Sequence, residues 1–203
     1  MIIGIPSEIK TGEKRVAMSP ANVQSLTDKS VTVLIQADAG SAAGYPDAEY
    51  TAAGAAVTTD RAELFASADI ILQVQSFGSN NENSDADLAL LRSGQLIIGM
   101  MDPLASPQAA QAVADKGATA IALELVPRIS RAQSMDVLSS MATLAGYKAV
   151  LMGASAAPRI FPMLMTAAGT LQPARVLIMG VGCLLYTSPS PRDRTRSRMP
   201  SSA

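Results

Sequence analysis

Short apolar runs alternate with helix-forming stretches along the first two thirds of the chain, and this alternation restricts the fold more than any other feature. Residues 2–6, 31–37, 56–57, 70–75, 95–100 and 119–123 are each too short for a helix and end in polar or glycine-containing turns, as buried strands do. Between them Ser19-Pro20 opens a helix that runs towards Asp28, residues 47–53 form one stopped by Gly54, and residues 61–66 and 85–91 form two more. Ser106-Pro107 opens another that Gly117 ends. Strands and helices in strict alternation imply right-handed crossovers. The predicted fold is therefore α/β, a mostly parallel Rossmann-like sheet with helices on both faces. Ligands of such sheets bind at the carboxyl ends of the strands, an edge that Gln75, Asp102 and the loop after Leu123 all reach. The stretch 76–84, with FGSNNENS at its heart, reads as a flexible surface loop.

Residue types narrow the chemistry further. The chain has no histidine, which removes the commonest general base and the commonest metal ligand together. Cys183 is the single cysteine, so neither an internal disulfide framework nor a cysteine-rich metal site is available, and no metal is expected. With 48% hydrophobic residues but only 3% aromatics and no Trp, the core must be built from Ala, Val, Ile, Leu and Met. No run of 18 uninterrupted apolar residues occurs, and the N-terminus lacks the basic start of a secretory signal, so the body is expected in the cytoplasm.

The richest stretch for function is 126–148, VPRISRAQSMDVLSSMATLAGYK. Arg128, Ser130, Arg131, Gln133, Ser134 and Asp136 crowd its front, while Val137, Leu138, Met141, Leu144 and Ala145 recur behind them at helical spacing. The polar cluster thus sits at a helix entrance, with Ser134 or Asp136 as the cap and the apolar stripe holding that entrance to a core. One reading is a capped helix with solvated arginines. The other is a ligand site: Arg128 donates in a planar fork, Asp136 accepts, and Gln133 does both, which is what a carboxamide such as nicotinamide requires.

PRISRAQSMDVLSSMATLAGY resembles the signature loop and helix of the NAD(H)-binding component of proton-translocating nicotinamide nucleotide transhydrogenases, and the likeness extends from Met1 to about Gly182. The related alanine dehydrogenases share the general plan but not this loop. The resemblance implies that Arg128, Ile129, Ser130, Gln133, Ser134, Met135, Asp136 and Ser139 hold the nicotinamide and ribose end of NAD(H). Gln133 would reach across to NADP(H) carried by a partner component, and Gln133, Asp136 and Arg128 would be the residues nearest the chemistry. It also implies NADP-binding and membrane components as partners, a homodimer of this component, no nucleic acid, and a position at the cytoplasmic face of the inner membrane through the partner. Arg15 borders the cleft in both families, although a surface loop charge is the plainer reading. Tyr147 reads as packing.

The domain expectations are residues 1–135 for the first domain, then 136–182 for a linking helix and an incomplete nucleotide-binding domain. Residues 175–179 read as its first strand, and Gly180-Val181-Gly182 as the start of a turn against the pyrophosphate. Leu185 stands where a third glycine belongs, and Pro189 and Pro191 stand where a helix belongs. Residues 183–203 carry Arg192, Arg194, Arg196 and Arg198 against Asp193, with no periodic pattern. They read as a disordered tail resembling translated sequencing adapter, with no function assigned.

Two alternatives stand beside the transhydrogenase reading. An alanine-dehydrogenase-like oxidoreductase needs a base and a cation, usually His and Lys. Where that family has its lysine this chain has Gln75, and near the histidine it has Met101 and Asp102. The other alternative is an inactive fragment with apolar surface left open along the helix from Ser134 and the 175–179 strand.

Overall fold

The structure, a computed structural model, describes residues 1–80 and 82–178, so Gly180, Val181, Gly182 and Cys183 lie outside the described residues. The chain divides into two compact units, Met1–Met135 and the residues from Asp136 onward.

In the first unit, β1 (Ile2–Ile5), β2 (Thr32–Gln36), β3 (Ala56–Thr58), β4 (Ile70–Gln75), β5 (Leu96–Met100) and β6 (Thr119–Ala122) form a sheet of order β3-β2-β1-β4-β5-β6. Every neighbouring pair is parallel. Five helices connect the strands: α1 (Pro20–Thr27), α2 (Asp47–Ala52), α3 (Arg61–Ser67), α4 (Ser84–Leu90) and α5 (Pro107–Asp115). The expected α/β architecture is what the chain adopts.

Period-two alternation along the strands builds two cores, one on each face. Ile3, Ile5, Val33 and Ile35 bury on one face with Val23 of α1 and Tyr50 of α2. Ile71 and Ile97 bury on the other with Leu64 and Phe65 of α3 and Val113 of α5. Side chains such as Ile5, Ile35, Ile71 and Ile97 are wholly inaccessible, each worth about 1.5–3 kcal/mol of apolar burial. Several polar groups inside are paired. The Tyr50 hydroxyl donates to the Met18 carbonyl at 2.9 Å, and Gln95 Nε2 donates to the carbonyls of Phe65 and Ala68. Gly4 lets α3 lie close on β1, since a Cβ there would come within 2.8 Å of the Ala68 Cβ.

The stretch after β4 differs from its expectation. In its first half Ser76, Phe77, Gly78 and Asn80 are buried, with a 3-10 turn at Phe77–Ser79, while Glu82 and Asn83 are exposed as expected. Its polar composition serves the interior: the Ser76 amide and the Ser79 hydroxyl both donate to the Met100 carbonyl, at 2.9 and 2.5 Å.

The second unit contains α6 (Val137–Ala156) and an antiparallel pair, β7 (Leu164–Thr166) and β8 (Gly169–Leu171). Two expectations fail here. Residues 175–178 form no strand; a parallel first strand takes its hydrogen bonds from neighbours, and none flanks it among the described residues. The apolar stripe of α6 does not bury as a core face either. Gly146 is its one buried residue, while Leu144, Tyr147, Leu151 and Met152 are about half exposed or more. A helix apolar on all sides has no distinct buried face for periodicity to mark. By length and mean hydropathy, 20 residues at 1.2, α6 meets a criterion that core helices and membrane spans share.

Candidate functional site

The sheet order reverses between β1 and β4, and the carboxyl ends of these strands carry the first cluster of charged groups. β1 pairs with β4 only through Ile3 and Gly4, so the Val74 and Gln75 amides run beyond its reach. Glu8, from the loop after β1, accepts both, at 2.5 and 3.0 Å. Burial outweighs these two bonds and raises the Glu8 carboxyl above the usual carboxylate range. Five residues on, Glu13 takes a two-point contact from the Arg15 guanidinium, Nε at 2.8 Å and Nη2 at 2.6 Å, and a longer bond from Gln75 Nε2 at 3.3 Å. The guanidinium holds the Glu13 carboxyl down at about 2, and Glu13 in turn raises Arg15. Arg15 is thus no solvated loop charge; it is paired across the chain's own turn.

Below this cluster lies a buried ion pair. Arg61, at the first turn of α3, contacts Asp87 of α4 through Nε–Oδ1 and Nη2–Oδ2, both 2.7 Å. Arg61 also donates to the Ser7 carbonyl and to Gln36 Oε1, and Gln73 Nε2 donates to Asp87 at 2.7 Å. Elements far apart in sequence are thereby locked at the carboxyl edge. Sequence reading missed Glu8, Glu13 and this network; the acid and base two apart in Glu13-Lys14-Arg15 is the only local signal of any of it.

The second cluster follows β6. A 3-10 turn, Leu123–Leu125, closes with the Val126 amide on the Leu123 carbonyl at 3.2 Å, and Pro127 then directs the chain into the 3-10 stretch Ser130–Met135. Ala132 is buried and tethers this stretch, its amide on the Ile129 carbonyl at 2.9 Å. Arg128, Ile129, Ser130, Arg131, Gln133, Ser134 and Met135 are all exposed. The side chains of Arg128, Ser130, Arg131, Gln133 and Ser134 make no hydrogen bond or ion pair among the described residues, so their donors and acceptors are open to a ligand.

From Asp136 the chain turns into α6. Of the two residues the sequence offered as cap, the structure uses Asp136: its Oδ1 accepts the Ser139 amide at 2.9 Å and its Oδ2 the Ser139 hydroxyl at 2.6 Å. A carboxylate at a helix start also complements the helix dipole. Tyr147, three turns along, is half exposed rather than packed. Asp102, after β5, is exposed at φ +46°, and no group of three or more metal-ligating side chains occurs among the described residues.

A doubly wound parallel sheet with this strand order, and polar loops at its carboxyl edge, defines the nucleotide-fold class of α/β proteins. Within that class the chain belongs to the family described as alanine dehydrogenase/PNT, N-terminal domain, whose model matches residues 4–145. It is 44% identical over 182 residues to the first part of NAD(P) transhydrogenase subunit alpha of Rhodospirillum rubrum, covering 90% of this chain and 47% of that protein. It is 35% identical to an alanine dehydrogenase of Mycobacterium tuberculosis over 191 residues, 93% of this chain and 49% of that one. Among solved structures, the transhydrogenase from Sinorhizobium meliloti superposes with a TM-score of 0.83 at 43% identity, over 91% of this chain and 53% of that chain. The chain thus spans about half the length of these relatives.

Proposed function

We propose that this chain is the N-terminal portion of the NAD(H)-binding component of a proton-translocating transhydrogenase, passing hydride from NADH to NADP+ held on a partner component. The observation that carries the reading is the run from Arg128 to Ser139, where exposed donors with no bond among the described residues lead into the carboxylate cap of a long helix. The donor set fits a nicotinamide and its ribose: a fork of N–H groups from Arg128, hydroxyls from Ser130 and Ser139, and an amide on Gln133 that can give and take. A bound dihydronicotinamide supplies the chemistry, a hydride that leaves with its electron pair. No acid, base or metal is needed for such a transfer, which agrees with a chain that has no histidine. What the protein must do is hold one ring at roughly 3–3.5 Å from another.

In this reading Arg128 and Ser130 orient the carboxamide, with Ile129, Ser134 and Met135 flanking it. Asp136 and Ser139, already bonded to each other, present fixed acceptors to the ribose, and Gln133 faces the NADP(H) of the partner. Gly180, Val181 and Gly182 would lie against the pyrophosphate. In this reading residues 1–135 form the first domain, and 136–182 a linking helix and an incomplete nucleotide-binding domain. The component works as a homodimer beside NADP-binding and membrane components, on the cytoplasmic side of the inner membrane.

Amino-acid oxidation is disfavoured by the sheet edge. Gln75 spends its amide on Glu13 and carries no charge, and neither Met101 nor Asp102 is a base of the histidine type. The full-length protein mixed with its NADP-binding partner is expected to reduce NADP+ at the expense of NADH and to leave alanine untouched. Alanine-dependent formation of NADH without hydride exchange would overturn the assignment.

A further inference from the structure

We propose that Glu124 is a positioning residue for the ligand loop, clamping the point from which that loop departs to the end of β5; this rests on the transhydrogenase reading above for its consequence but not for its geometry. Glu124 lies in the 3-10 turn immediately after β6, three residues before Pro127. Its Oε1 accepts two successive backbone amides from the neighbouring strand's exit, Met101 at 2.7 Å and Asp102 closer still. Asp102 itself adopts a left-handed φ of +46°, so the chain turns sharply as soon as it leaves these two amides.

The other flank of that exit is held just as firmly. The Met100 carbonyl receives the Ser76 amide and the Ser79 hydroxyl, and Gly78 packs so near the Met101 carbonyl that a Cβ would collide with it. The end of β5 is therefore a fixed point, and Glu124 is the group that ties the next loop to it. Between Glu124 and Arg128 the chain has little freedom, since the Val126 amide closes the 3-10 turn and Pro127 fixes its own φ. The direction in which Arg128, Ser130 and Gln133 are delivered is thus set by one carboxylate oxygen. The second oxygen, Oε2, is buried and has no hydrogen-bond partner among the described residues, so replacing it with an amide nitrogen removes no bond.

The test uses Glu124→Leu and Glu124→Gln in the full-length protein, with amide hydrogen exchange at residues 128–135, NADH titration, and KM against kcat for transhydrogenation. Leu keeps the bulk and loses the acceptor: exchange in the loop should quicken by about tenfold, with the NADH dissociation constant and KM rising by a similar factor. Gln keeps an acceptor at Oε1 and should stay within about twofold of the parent in every readout, a rescue that bulk alone does not explain. Unchanged loop exchange in a folded Leu variant, or a Gln variant as damaged as Leu, overturns the clamp. Should Leu fail to fold, Glu124→Asp, whose oxygens fall one methylene short, takes its place with the same expected loosening. A parent protein that binds no NADH would sink the transhydrogenase reading, while the exchange comparison would still decide the clamp.

Discussion

The two units of this chain are built on opposite principles. In residues 1–135 apolar side chains bury on both faces of one sheet, and Arg15 and Arg61 at its edge are paired with Glu13 and Asp87, whereas among the described residues from Asp136 onward a 20-residue apolar helix is mostly exposed and one two-strand hairpin follows it. A six-stranded parallel sheet covered on both faces is self-sufficient; an isolated hairpin beside a bare apolar helix is not. The difference teaches that, among the described residues, the buried core is concentrated in the first unit and the second has little of its own. The donor-rich run lies at the junction in sequence between them.

The largest expected effects test this contrast directly. Asp87→Ala leaves the Arg61 guanidinium buried without its anion, and urea unfolding should lose about 3–5 kcal/mol. Phe65→Ala, in the core, should cost about 3–5 kcal/mol, while Leu151→Ala on α6 should stay within about 0.5 kcal/mol. Equal costs for Phe65 and Leu151 would break the comparison. Asp136→Ala removes a helix cap and should cost about 0.5–2 kcal/mol, with a fall in NADH affinity measured by titration.

Acid titration offers a subtler test, followed by the thermal midpoint. The Glu13 carboxyl is held down at about 2 from its ordinary 4.5, so its stabilising contribution is complete above pH about 4.5 and drains away as pH falls towards about 2. Glu8 acts in the opposite sense: its raised value means that ionisation at neutral pH costs stability, a cost relieved below its ordinary range. Glu13→Gln should therefore flatten the acid limb, by about 1 kcal/mol once solvent screening around the partly exposed Arg15 is counted. The smallest effect on folding is expected for Arg128→Ala, within about 0.5 kcal/mol, because its side chain is exposed and makes no bond among the described residues. Its NADH affinity should nevertheless fall several-fold, which separates a binding residue from a structural one.

Much of the first unit was legible because strand and helix periods differ and because Ser19, Asp47, Gly54 and Gly117 punctuate them. Burial of the Ser76–Asn80 stretch was not, since its polar atoms satisfy backbone groups of β5 some two dozen residues away. Separation in sequence also hid Glu8 and Glu124, whose partners are amides on β4 and just past the end of β5 and leave no pattern in sequence. The capping role of Asp136 was readable because a cap is a local device. The missing strand at 175–178 shows the converse: an apolar run predicts a strand only where another strand can receive it.

One detail of the sheet order carries further. β6 has β5 beside it and no other strand on its outer flank among the described residues, so the donor-bearing run follows the border of the sheet rather than its middle. A change in the length of a loop mounted there leaves the pairing among β3, β2, β1, β4 and β5 in place. The ligand-facing sequence is thereby kept apart from the ladder that carries the fold.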